Sequence, residues 1–137
     1  MASSQETDLI ARLEIKSVDE FDTLLRETNG RFEPLTVQFT ADWCKACHRI
    51  KDELEVRFNE DKRIVNWVGV DIDAEELEEL RERYEVTEMP CVLVFFRRDT
   101  PVWRGSGMDL SKNSMNVVAA LKTLDSKRPT FTEDEDF

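Results

Sequence analysis

The sequence predicts an α/β fold, a mixed sheet of about five strands flanked by four helices. Three observations carry this. β-rich runs alternate with amphipathic stretches through the first two thirds of the chain, two β-rich runs stand back to back near residue 95, and 40% hydrophobic content with eight Phe and three Trp can build one real core in 137 residues. The element order is β α β α β α β β α. Early alternation implies parallel strands with crossover helices, and the late pair implies a hairpin, so the sheet is mixed and helices cover both faces.

The stretch "LIARLEIKS" opens as a short strand. Ser17 with Glu20 three residues on forms a capping box before Val18, Phe21, Leu24 and Leu25 at helical spacing, and Asn29-Gly30 is expected to stop that helix. "PLTVQFTA", residues 34–41, is β-rich without a helical period, as a strand buried on both faces should be. From Cys44, the residues Cys47, Ile50, Leu54 and Phe58 fall on one helical face. "RIVNWVGVDI" is a second buried strand, and Asp73 with Glu76 repeats the capping pattern before Ala74, Leu77, Leu80 and Tyr84. "CVLVFF", a turn through Arg98-Asp99-Thr100 and "PVWRG" make the hairpin, and a last helix turns Val117, Val118, Leu121 and Leu124 inward. Residues 10–125 therefore form one domain, residues 1–9 an N-terminal extension, and residues 126–137 an acidic tail too polar to pack and expected to stay disordered.

Thirty acidic against nineteen basic residues set the formal net charge at -11, which repels nucleic acid and anionic membrane surfaces. No apolar run has the length of a signal peptide or a membrane span, and Glu6 and Asp8 do not suit a transit peptide. The expectation is a protein of the cytoplasm, with a mitochondrial or other organellar form left open, acting as a monomer or weak homodimer. Three cysteines cannot all pair internally, and in a reducing compartment thiols more often do chemistry or bind metal than staple a fold.

The chemistry lies in "ADWCKACHRI", where Cys44-Lys45-Ala46-Cys47-His48 admits three readings. Covalent haem needs a second axial ligand and a large apolar wrapping that a strand-rich chain does not offer. Zinc needs four ligands, and Cys44, Cys47, His48 and Cys91 are the available set. A dithiol redox centre needs least: two thiols on the first turn of a helix can close a small disulfide ring with little backbone movement. The first then sits at the positive end of the helix dipole, which draws a thiol from ~8.5 toward roughly 4 to 7. Cys44 is accordingly the nucleophile and Cys47 the resolving thiol. Lys45, His48, Arg49 and Lys51 add a cationic patch that either stabilises the thiolate or is simply a solvated helix face.

With "VQFTADWCKAC" and "VDIDAEELEELRERYEVTEMPCVLVFF", residues 10–125 resemble the thioredoxin family. The resemblance implies a thioredoxin fold, a cis peptide at Met89-Pro90 and a substrate strand held by Trp43, Met89 and Pro90. It implies a thiol-disulfide oxidoreductase acting on protein disulfides, restored by a reductase or a small-thiol reductant and needing no cofactor. Departures qualify the mechanism. Lys45-Ala46 replaces the family's usual Gly-Pro, so the reduction potential need not be that of an ordinary thioredoxin. The family's buried aspartate falls on Gln38 and its lysine partner on Gly69, so a proton relay through them is absent. Slower disulfide reduction follows, with a gain expected from Gln38→Asp. Cys91 stands where the family has Thr, and the fold implied brings it close to the Cys44-Cys47 pair. It is a small core residue, a thiol that tunes or traps the disulfide, or a third ligand with Cys44 and Cys47 for zinc or an iron-sulfur cluster. A weakly active interaction protein is the other alternative. Trp67, Phe39, Phe95 and Phe96 are expected in the core, Trp103 in core or groove, and Gly105 or Gly107 at the groove. "EELEELRER" is a solvated face whose acidity selects basic partners.

Overall fold

The computed structural model describes residues 10–61 and 66–125. The N-terminal extension, residues 62–65, which include the first three of "RIVNWVGVDI", and the acidic tail lie outside the described residues. Five strands form one sheet in the order β1-β3-β2-β4-β5. They are β1 Leu13–Glu14, β2 Leu35–Thr40, β3 Asn66–Asp71, β4 Cys91–Phe95 and β5 Trp103–Ser106. β3 pairs in parallel with both β1 and β2, whereas β4 runs antiparallel to β2 and β5 to β4. This is the mixed α/β architecture the sequence predicts.

Helices α1 Val18–Gly30, α2 Lys45–Asp61, α3 Glu78–Arg83, α4 Gly107–Lys112 and α5 Met115–Asp125 cover the sheet. Period-2 alternation sorts the strands between two layers. Val37, Phe39, Val68, Val70, Leu93 and Phe95 face α1 and α3, where Phe21, Tyr84 and Phe95 meet edge to face at 5.2 to 6.0 Å. Val92, Val94 and Trp67 face α2 and α5, and Phe58 of α2 meets Trp67 edge-on at 5.1 Å. β2 is buried along its whole length, which explains why its sequence lacks alternation. The glutamates of "EELEELRER" are exposed, as expected.

Four details differ from the sequence reading. β1 is two residues long rather than spanning "LIARLEIKS". α1 ends at Gly30 as expected, but the left-handed residue that follows it is Phe32, at φ 59°, rather than the glycine, and Asn29 turns its side chain to the hairpin, accepting from Arg97 N–H at 2.8 Å and donating to Arg98 C=O at 3.2 Å. The Asp73–Glu76 box does not form. Ala74 is the N-terminal cap, without a side-chain bond, of a 3₁₀ turn Glu75–Leu77 that leads into α3. The short α4 was not anticipated; its first residue, Gly107, has φ +61° and donates its N–H to Pro90 C=O at 2.8 Å.

Candidate redox site

β2 delivers the chain to the site, and α2 begins there. Cys44 immediately precedes α2 and its carbonyl accepts from His48 N–H at 3.3 Å, so its sulfur lies among the free N–H groups of the first turn. Cys47 N–H points at Cys44 Sγ, 3.1 Å away. The two cysteines are disulfide-bonded with a Cα–Cα separation of 5.2 Å. Cys44 is 6% exposed and Cys47 is fully buried, so attack from outside meets Cys44 first. Ala41, Ala46, Ile72 and Met89 pack around the pair.

The sequence-assigned neighbours separate into those at the disulfide and those elsewhere. Trp43 is 63% exposed and donates Nε1–H to Asp73 Oδ2 at 3.0 Å, which removes the Asp73 side chain from capping. The Met89-Pro90 peptide is cis, and Met89 packs on the disulfide cluster. Of the two candidate glycines, Gly107 is the one tied to Pro90; Gly105 lies under the ring of Trp103, which is half-buried, packing on the α2/α5 layer while also lining a surface cleft with Glu88 and Asp109. Lys45 is exposed, and the His48 ring meets Asp42 C=O at 3.1 Å. Arg49 is committed to Ser111 C=O at 2.5 Å and to Glu53. The cationic patch is therefore smaller than the sequence suggested.

Cys91 follows the first of its three readings, a small buried residue that begins β4. It packs with Phe39, Leu93 and Phe95 in the α1/α3 layer, in a different cluster from the disulfide. Burial pushes its thiol up to about 11, with the Arg104 charge pulling it down and Glu88 adding to the rise. Among the described residues no group of three or more His, Cys, Asp or Glu is placed to hold a metal ion. Cys44, Cys47, Cys91 and His48 do not form such a group among the described residues, so the zinc and iron-sulfur readings find no support there.

Gln38 is fully buried and turned toward the active helix: its Nε2 donates to Cys47 C=O at 2.9 Å. Its Oε1 accepts from Arg12 Nη1 at 2.8 Å. Arg12 was missed in the sequence, and no local motif marks it.

A disulfide at a helix N-terminus beside a cis-proline, on a β1-β3-β2-β4-β5 mixed sheet, defines a thioredoxin-fold redox protein. The thioredoxin family model matches residues 12–119. Thioredoxin-1 of Drosophila yakuba is 34% identical over 107 residues, 78% of this chain and 94% of that protein. A thioredoxin of Echinococcus granulosus is 33% identical over 61 residues, a match of 44% of this chain that spans only about half (54%) of the relative. An H-type thioredoxin of Oryza sativa is matched over 59% of its length, at 32% identity and across 55% of this chain. Among solved structures, the reduced thioredoxin pre-protein of Schistosoma mansoni superposes with a TM-score of 0.67 at 23% identity, covering 84% of this chain and 99% of that one, which speaks to the fold. The chain belongs to the thioredoxin family.

Proposed function

We propose that this protein is a thiol-disulfide oxidoreductase that reduces disulfides of protein substrates. The observation that carries the reading is the Cys44–Cys47 disulfide at the start of α2, with one sulfur at the surface edge and the other buried. Cys44 thiolate attacks a substrate disulfide; one substrate sulfur leaves as a thiolate and the other stays bonded to Cys44. Cys47 thiolate then attacks Cys44 Sγ, the mixed disulfide breaks, and the second substrate sulfur leaves. Two electrons pass to the substrate, its two thiolates take protons from solvent, and a reductase or small thiol outside the chain returns the pair to the dithiol.

In this reading Trp43, Met89 and Pro90 hold an extended substrate segment, with Met89 offering backbone for pairing; the packing of Met89 on the disulfide supports it. Lys45 and His48 modulate Cys44 by charge. The net charge of -11 favours basic partners over nucleic acid. No described helix is long and apolar enough to cross a membrane. The working compartment in this reading is the cytoplasm or an organelle, and the working form a monomer or weak homodimer.

Trapping tests the reading. Cys47→Ser in cell extract should accumulate covalent adducts that reductant dissolves and that vanish when Cys44→Ser is added. An adduct level equal to that of the double variant would overturn the assignment.

A further inference from the structure

Beneath the disulfide, three strands contribute one connected polar path. Arg12, just before β1, has a side chain only 6% exposed. Its Nε donates to Glu14 Oε2 at 2.8 Å and its Nη1 to Gln38 Oε1 at 2.8 Å. Gln38, on β2, passes the path to Cys47 C=O through Nε2 at 2.9 Å. The guanidinium reaches Gln38 because β3 carries Gly69 at this register, opposite Gln38 on one side and Glu14 on the other. A Cβ on Gly69 would lie 2.6 Å from Arg12 Nε and 2.6 Å from Glu14 Oε1. The missing side chain is the channel.

We infer that Arg12 is a positioning residue for the resolving step: through Gln38 it holds the first turn of α2 so that Cys47 faces the Cys44 sulfur once their own bond is open. This rests on the exchange reaction proposed above and concerns only its second half. A buried amide can be used two ways round. With Arg12 donating to Oε1, the Nε2 end must point at Cys47; without Arg12, Oε1 is a buried acceptor with no donor and the orientation is no longer set. In the oxidised protein the disulfide itself fixes Cys47 relative to Cys44. In the mixed disulfide that tie is absent, and the turn is joined to β2 by the bond from Gln38 to Cys47 C=O at 2.9 Å and by the longer contact of Cys47 Sγ with Phe39 C=O at 3.9 Å. Cys44 attack, the first half, does not use the Gln38 bond. Neither Gln38 nor Arg12 can take up a proton, so the contribution of the path is geometric.

Reduced protein mixed with excess dithiobis(nitrobenzoate) separates the halves. The first thionitrobenzoate leaves when Cys44 attacks, at a rate proportional to reagent; the second leaves when Cys47 resolves, at a rate independent of it. Arg12→Met should slow the second release roughly tenfold, the cost of one buried polar group left without its partner, and leave the first within about twofold. Gly69→Ala should do the same with Arg12 and Gln38 both present, because the displaced atoms are the flexible end of an arginine and the strand can still form. Arg12→Lys, a single-point donor of the same charge, should recover part of the second rate. A second release unchanged in folded Arg12→Met or Gly69→Ala, or both releases slowed equally, would overturn the role of Arg12. No first release from the parent protein would instead overturn the exchange reaction, and this inference with it.

Discussion

The thiol of Cys91 is fully buried in the α1/α3 layer, opposite Phe39 on β2, and the loss of water around its charged form keeps it protonated up to about 11 against an ordinary 9.0. The unfolded chain releases that proton at lower pH than the folded one. This thiol therefore leaves stability untouched below about pH 9 and lowers it as pH rises toward 11, by on the order of 3 kcal/mol at the end of the window. Denaturant titrations of the parent and Cys91→Ala at pH 8 and pH 11 should show the variant losing less stability between the two. Cys91→Ala should also leave disulfide exchange within about twofold, measured by thionitrobenzoate release, because its sulfur packs in a separate cluster from the pair. At Gln38 the structure revises an expectation. The sequence alone favours a gain from Gln38→Asp, but an Asp side chain is one methylene shorter and carries no N–H to replace the Gln38 donor to Cys47 C=O, while Arg12 Nη1, now 2.8 Å from Gln38 Oε1, remains the nearest cation. The guanidinium holds the new carboxyl group ionised, and an ionised carboxylate cannot donate to Cys47 C=O. Gln38→Asp should thus slow the second release by roughly fivefold, the worth of one hydrogen bond; a faster release would contradict this. The pairing of Cys44 with Cys47 was legible because two cysteines three apart at a helix start can close a ring, whereas Trp43 entered only through the family resemblance. Arg12 was not legible, since its role depends on a glycine 57 positions away on a neighbouring strand.

Two capping patterns of the same form meet different fates. Ser17 is extended, at φ -152° and ψ 161°, and accepts from Glu20 N–H at 3.0 Å, while Glu20 Oε1 accepts from Lys16 N–H at 2.6 Å. The first box therefore forms, with its return bond one residue earlier than the standard pattern. At the second, Asp73 gives its N–H to Asp71 Oδ1 and its carboxylate to Trp43, so α3 starts from a 3₁₀ turn. Ser17→Ala should cost about 1 kcal/mol in chemical denaturation. Asp73→Ala should cost less than half of that and instead change Trp43 fluorescence, as the exposed indole loses its acceptor. Helix faces were readable from spacing: Cys47, Ile50, Leu54 and Phe58 are the buried residues of α2. The end of α1 was readable too, since Asn29-Gly30 closes it. The start of α3 was not, because it depends on a partner distant in the chain, Trp43, which Asp73 reaches.

At the scale of the whole molecule, two apolar layers on a five-stranded sheet hold the fold, and the disulfide closes a ring only three residues apart in sequence. Loop closure over so short a separation contributes roughly 2 kcal/mol. Reduction should therefore leave far-UV circular dichroism unchanged and shift the denaturation midpoint only modestly, as a protein that cycles between the two states requires. The fold class was legible because alternation of buried strands and amphipathic helices is a pattern of composition, and the hairpin placed the antiparallel pair. The place of Cys91 in the α1/α3 layer was not, because it turns on which face of β4 each residue occupies. All of this meets in one claim, that Cys44 is the sulfur through which the protein reacts. Brief alkylation of the reduced protein at pH 7, mapped by mass spectrometry, tests it directly: Cys44 should be labelled first, with Cys47 and Cys91 spared. Labelling of Cys47 or Cys91 as fast as Cys44, or of no cysteine at all, would contradict the account.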